Sequence, residues 1–421
     1  MRMIKKIFVV ITLFVLTYSY AQEGSTSPYS FYGIGELKFG GTVENQSMGG
    51  LSVYTDSIHL NLRNPASFSE LAVTTFSVGA SHNSTQYKNA FKTETKNNAS
   101  LDYLVLGFPI TKKIGVGFGL LPYTSVGYNI QSTSNNDGQT QQEEFTGSGG
   151  VNKVFLSLGY KINDNFSVGV TGNYDFGKLD SENERALDNI IYGTREVNNS
   201  EVSGVDFNIG LTYKTKFMDK FTLRSAFAFA PEAKLSSINY KEISTFSDFS
   251  SVLGDTEVVD LKAQGLKYTD LVLPASITFG VGIGEELKWF VGTELQSIKT
   301  SNFENRFLNV SGVEYQDSYR VSLGGFYIPR YNSFTSYLSR VVYRAGFKFE
   351  ETGLVVNNEK INNFGISFGL GLPVSGASNV NINFEYGKRG TLNAGLIEEN
   401  YFNAKLSLSL NERWFVKRKY N

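Results

Sequence analysis

The chain has 421 residues, a formal charge of −1 and no cysteine. The near-neutral charge argues against a nucleic-acid partner, which requires a basic surface, and the missing cysteines exclude a disulfide framework, thiolate catalysis and thiolate metal sites. A soluble chain of this length would divide into two or three domains, whereas a large β-barrel runs as long in one.

The first residues read as an export signal. Arg2, Lys5 and Lys6 precede a short apolar core over residues 7–16, and Ser19-Tyr20-Ala21 forms a small-x-small cleavage site. Residues 1–21 are therefore expected to be removed as a signal peptide, leaving a mature chain from Gln22. The core falls short of the roughly 18 residues that span a bilayer as a helix. No cysteine follows it for lipid attachment.

Residues 22–72 show no regular alternation. They carry Gly33, Gly35, Gly40, Gly41, Gly49 and Gly50, then Asn64-Pro65-Ala66. Ahead of a barrel, such a segment either stays in the periplasm or folds back into the lumen as a plug. Its apolar content (Tyr29, Phe31, Ile34, Phe39, Met48, Leu51, Val53) favours the lumen.

From residue 73 onward the pattern changes. Phe166, Val168, Val170, Tyr174 and Phe176 alternate with Ser167, Gly169, Thr171, Asn173 and Asp175. The alternation returns at Val205 to Tyr213, at Ile277 to Ile283, at Phe364 to Leu372, at Val380 to Tyr386 and at Phe402 to Leu410. Successive side chains on a strand point to opposite faces, so each stretch has one apolar and one polar face. Repeated over almost the whole chain, this predicts a membrane β-barrel, apolar toward lipid and polar toward the lumen. The mean hydropathy of −0.18 agrees, because only alternate residues meet lipid.

About fourteen strands are expected, with 114–130 and 269–283 each read as one strand. Short connections rich in Gly, Asn, Asp and Ser alternate with long ones, and an even strand count places both termini on the short-turn, periplasmic side. The connection 328–339 is long for that side. The expected architecture is all-β: a single transmembrane antiparallel β-barrel over residues 73–421, with an N-terminal hatch over 22–72.

Ser47-Met48-Gly49-Gly50-Leu51-Ser52-Val53, followed by Asn64-Pro65-Ala66-Ser67-Phe68, resembles the opening of the FadL/OmpP1/TodX family of outer-membrane proteins. Met48, Gly49, Gly50, Asn64, Pro65 and Ala66 carry the likeness, and Ser67 stands where family members often have glycine. The close of the chain, Trp414-Phe415-Val416-Lys417-Arg418-Lys419-Tyr420, looks like that of FadL-like proteins from bacteria that also run type IX secretion. The resemblance implies a fourteen-stranded barrel with a hatch in its lumen, in the outer membrane of a Gram-negative bacterium. It implies passive uptake of hydrophobic small molecules such as long-chain fatty acids. Other members carry nothing and serve as barrel subunits or partners of an envelope secretion or outer-membrane assembly complex. No ligand-pocket residue transfers from the family.

The inward parity carries charges of both signs: Asp175, Asp206, Arg224, Lys288, Glu294, Arg320, Arg344, Lys348, Glu385 and Lys405. They read either as a selectivity constriction or as pairs that tie the wall to the hatch. Mixed signs cancel a selecting field and buried charges need partners, which favours pairing. Asp206, Arg224, Glu294, Arg320, Arg344 and Glu385 are its candidate members. Other inward positions are glycine, which gives room for a closely packed plug or permits strand curvature.

The only histidines are His59, in the expected hatch, and His82, expected at the loop end of the first strand. A catalytic triad needs a base oriented by a third group and an oxyanion hole, nothing in the sequence specifies either, and no nucleophile elbow or P-loop appears. The chain is read as a non-enzyme without cofactor or metal. The connection 232–268, mixing apolar residues with Asp and Lys, is expected to hold a short helix with a ligand groove, a docking surface or a plain lid. The expected partners are outer-membrane lipid, a hydrophobic ligand and proteins of an envelope complex.

Overall fold

The computed structural model describes residues 24–136, 139–188, 190–248, 251–307, 312–374 and 378–413. The signal-peptide reading and the closing motif at 414–420 lie outside them.

Fourteen antiparallel strands close into a barrel. They are β1 (Thr74–Lys88), β2 (Thr93–Pro109), β3 (Ile114–Pro122), β4 (Gln139–Lys161), β5 (Phe166–Leu187), β6 (Gly193–Phe217), β7 (Phe221–Ala230), β8 (Ser276–Glu285), β9 (Trp289–Ile298), β10 (Ser318–Tyr327), β11 (Val342–Val356), β12 (Glu359–Pro373), β13 (Asn379–Arg389) and β14 (Glu398–Glu412). Each pairs with its chain neighbour, and β14 returns to β1 from Thr74↔Glu412 to Lys88↔Glu398, which closes the ring.

The alternation sets the faces. On β5, Val170 and Tyr174 are exposed outward while Thr171, Asn173 and Asp175 are buried inward. The apolar run ends at Phe176, and Lys178 begins a polar outer face. A tilted strand needs about 9–11 residues to cross a bilayer. The strands β4, β5 and β6 have 23, 22 and 25 residues, so their far ends rise above the membrane.

The turns at the other end are short and locally bonded. The Asn163 side chain accepts hydrogen bonds from the amides of Asn165 and Phe166, closing the β4–β5 turn. The connection 328–341 is the long exception at this end, with one short helical turn over Leu338–Arg340.

Three sequence expectations need correction. The stretch 114–130 is not one strand: it breaks at Tyr123, and Thr124–Asn136 forms a separate strand. The stretch 269–283 also breaks, at Pro274-Ala275, because proline donates no ladder hydrogen bond. The connection 232–268 contains no helix among the described residues. Ala233–Asp248 pairs with β6, with Ser251–Val258 and with Tyr268–Leu273, extending the wall upward as sheet. Paired ladders satisfied on both sides override the local apolar spacing that suggested a helix.

Candidate functional site

The N-terminal segment, residues 24–72, lies against the inward face of the wall. Thr42 and Asn45 form a reciprocal cap on the single helical turn Val43–Gln46, and the Asn45 amide donates to the Leu51 carbonyl at 2.7 Å. Gly49 and Gly50 hold φ of 70° and 92°, where a Cβ is costly. The Gly49 amide donates to Ser367 on β12 at 3.2 Å. Asn64 caps the helical turn Pro65–Glu70 by accepting from the Ala66 amide at 3.0 Å. Its own amide donates to the wall carbonyls of Leu211 and Phe227 at 3.1 and 3.2 Å. Met48 and Ala66 are buried, Met48 with Leu51, Val53 and Phe290. The motif residues are thus turn-formers that also bond the wall.

The six candidate lumen charges do not gather into one network, and each has its own partners. Glu294 accepts from the Ser52 amide, the Ser52 hydroxyl and Arg63 at 2.7, 2.6 and 2.7 Å. Glu385 pairs with Lys348 at 2.5 Å and accepts from Gln46 at 2.7 Å. Arg320 pairs with Glu350 at 2.7 Å. Arg344 donates to Asn381 at 3.0 Å, and Asn381 in turn donates to Glu44 at 2.8 Å. Asp206 pairs with Lys153 at 2.5 Å and accepts from Asn173. Arg224 lies 5.0 Å over the Tyr54 ring and donates to Thr55 at 3.4 Å. Lys288, read as inward, instead sits in the exposed β8–β9 turn beside Glu285, because the strand ends before it.

Sequence reasoning missed the charged members of the N-terminal segment. Arg63 and Glu44 pair with the lower wall. At the upper end, Arg389 joins Glu36 at 2.6 Å and Glu399 at 3.1 Å, and Ser27 donates to Glu399 at 2.5 Å. Their signal was present: charges inside an apolar, non-alternating stretch need partners elsewhere.

His59 lies 2.6 Å from Asp56 within the same segment. Burial opposes both charges, but their mutual attraction outweighs it, holding Asp56 below the carboxylate range and His59 above its ordinary value. His82 does not end a strand. It sits within β1 between Ala99 and Ala404 and is exposed on the lipid-facing parity.

The wall itself has a break. β3 pairs with β2 only from Leu104↔Leu120 down to Pro109↔Gly115. Above that point Pro122 ends the ladder, and Thr124–Asn136 swings away while staying paired to β4. β4 pivots at Gly149 and Gly150, whose φ of 105° and 148° suit glycine. The freed edge is taken by the N-terminal segment: Glu36 and Leu37 pair with Ser125 and Thr124, and the Lys38 amide donates to the Tyr123 carbonyl at 2.9 Å. The stretch of β2 above Tyr103 keeps β1 on one side and, among the described residues, has no strand on the other.

Directly behind this break lies a cavity of about 490 Å³. Ser100 and Asp102 line it from β2, Leu121 and Tyr123 from across the break, and Leu37 and Gly40 from the N-terminal segment. Aromatic and aliphatic side chains share the lining with paired charges, among them Asp102 with Lys405 at 3.5 Å and Lys38 with Glu36 at 3.4 Å. Below the cavity the lumen is filled by two apolar clusters, one around Leu60, Phe68 and Leu71 and one around Met48, Leu51 and Val53.

A family model described as BamG matches residues 3–421, so the chain belongs to the BamG family. No curated protein sequence matches it. Among solved structures, the chain is similar to the toluene transporter TbuX of Ralstonia pickettii, with 15% identity, TM-score 0.59 and coverage of 89% of this chain and 99% of that one. It is similar to the CymD monoaromatic hydrocarbon channel, with 14% identity, TM-score 0.57 and coverage of 90% and 98%. It is also similar to a FadL homologue of Pseudomonas aeruginosa, with 12% identity, TM-score 0.57 and coverage of 90% and 98%. At these identities the likeness establishes the FadL-like barrel fold.

Proposed function

Taking BamG-family membership and the FadL-like fold as the premise, we propose that this protein is an outer-membrane barrel that takes up small hydrophobic or amphiphilic molecules passively through its side wall. The observation that carries this reading is the break between β2 and the strand Thr124–Asn136, with a cavity directly behind it. The cavity volume of about 490 Å³ lies within the roughly 300–1,000 Å³ of ligand pockets. Its lining suits a molecule with an apolar body and a polar end, such as a long-chain fatty acid. The N-terminal segment acts as the hatch, and release to the periplasm requires it to shift. Both termini are periplasmic, and residues 1–21 are the cleaved export signal.

A second reading has support in the filled lower lumen: a non-transporting barrel subunit of an envelope secretion or assembly complex. One experiment separates the two. Gly40 lines the cavity, and an added Cβ would meet only Leu121, at 3.7 Å, so the backbone accepts a side chain there. Full-length protein in detergent is titrated with isotope-labelled palmitate and toluene, beside Gly40→Phe. Saturable binding by the native chain that Gly40→Phe weakens at least tenfold supports uptake. Absence of binding to the folded native chain overturns it, and co-purification with other envelope proteins then supports the subunit reading.

A further inference from the structure

The connection between β10 and β11 is long where barrels keep turns short, and it turns back along the outside of the wall. The Tyr337 hydroxyl donates to the Pro373 carbonyl at the foot of β12 at 3.0 Å. The hydroxyl of Tyr343, an outward residue of β11, donates to the Leu338 carbonyl at 3.1 Å. These two bonds lay residues 337–340 across the feet of β11 and β12 on the lipid side. Tyr327 and Tyr343, cross-strand partners at the strand ends, are 51% and 38% exposed and mark the lower edge of the apolar belt.

The loop is ordered from within. The Arg330 amide donates to the Ser339 carbonyl at 2.7 Å, the Ser336 amide donates to the Ser333 hydroxyl at 3.2 Å, and Ile328 and Val341 are buried. Its outer face is nevertheless apolar, with Leu338 67% and Tyr337 45% exposed. Arg340 stacks on the Tyr337 ring at 5.3 Å. Among the described residues neither Arg330 nor Arg340 is joined to a carboxylate, although most lumen cations are.

We propose that residues 328–341 form a seat for phospholipid headgroups in the periplasmic leaflet. Tyr337 and Leu338 enter the interface and Arg340 meets a lipid phosphate. Continuity with the lipid belt selects lipid over a protein as the occupant, since the apolar face begins where Tyr327 and Tyr343 end. Amphipathic rings settle at the headgroup level, and guanidinium groups pair with phosphate. A water-facing loop would gain nothing from presenting Leu338 and Tyr337 outward while leaving its cations unpaired.

The chain has no cysteine, so single labelling sites are direct to introduce. Leu338→Cys carries a nitroxide label in the full-length protein, in nanodiscs of phosphatidylethanolamine and phosphatidylglycerol. Leu323→Cys on the lipid face of β10 and Asp164→Cys in the exposed β4–β5 turn serve as lipid and water references. We expect Leu338 to gain oxygen access and lose access to a water-soluble nickel chelate, shifting toward the Leu323 value. Arg340→Gln should reduce the phospholipids retained in native mass spectra. Nickel access at Leu338 equal to that at Asp164 would overturn the lipid seat and leave this face for a protein. Unchanged lipid retention in Arg340→Gln would overturn the phosphate contact.

Discussion

In the lower half of the barrel the wall meets the N-terminal segment with glycine. In the upper half it meets a cavity with full side chains. A Cβ on Gly115 or Gly117 would collide with Phe68, on Gly169 with Pro65, on Gly346 with Gly49 and on Gly369 with Ser47. Higher up, β4 and β5 instead present Lys153, Phe155 and Asn173 to the cavity, and Tyr123 projects from the break between β3 and the strand after it. The difference teaches that these lower inward glycines are clearance for a packed segment, whereas others, such as Gly79 against Tyr103 and Gly282 against Phe290, clear a side chain of the wall itself. Where the segment thins, the wall supplies its own bulk and a cavity remains.

The comparison also orders the electrostatics. Below, Glu294 is 2% exposed and holds Arg63 and two donors of Ser52. Above, Arg195 and Glu182 form a fork on the outer face of the risen strands with both side chains about 30% exposed. Breaking the first leaves a buried cation, whereas breaking the second leaves a solvated one.

The largest effect should therefore come from Glu294→Ala, at about 3–5 kcal/mol, against about 0.2–1 kcal/mol for Glu182→Ala. Urea unfolding in detergent micelles followed by tryptophan fluorescence measures both. Equal losses would mean that the lower pairs are as solvated as the upper ones.

The outer surface gives the next contrast. Val170→Arg on the lipid face of β5 should cost about 2–4 kcal/mol. Val197→Arg, on the outward parity of β6 above the belt and opposite Glu182 and Glu242, should stay within about 0.5 kcal/mol. Refolding into lipid vesicles scored by band shift on gels reports the difference, and a similar cost at both sites would move the membrane boundary upward.

The mildest of the three main destabilisations should be that of Gly346→Ala, at about 1–3 kcal/mol, because the added carbon meets the backbone of Met48 and Gly49. Gly172→Ala, with nothing within 4 Å of the added carbon, is the control and should be neutral. Protease sensitivity of the N-terminal segment should rise in the first variant and not in the second. Intact protection in Gly346→Ala would show that the wall yields there and that the glycine serves curvature.

Much of this was legible in the chain. The period-two alternation assigned Val170 and Leu408 to the lipid side and Thr171 and Ser407 to the lumen, because Cβ direction is a local property of an extended backbone. It also delivered the strand count and the alternation of short and long connections. Met48-Gly49-Gly50 and Asn64-Pro65-Ala66 marked turns, since the positive φ and the proline-led cap are written in residue type. The partners of those residues were not legible. Glu294 finds Arg63 across 231 positions, and Gln46 finds Glu385 across 339. The hairpin over 233–258 was hidden because apolar spacing in a short stretch does not distinguish helix from strand when the deciding neighbour is β6.

By itself, then, the sequence determined which face of each strand meets lipid and that the strands must close on one another, because unpaired backbone is intolerable in hydrocarbon. The tertiary structure alone decided where that closure fails. Pro122 and Gly149-Gly150 permit the wall to part, but permission is all that local chemistry grants. Glu36 and Leu37, far upstream, take the freed edge of Ser125 and Thr124, a partner that no local stretch of the wall specifies.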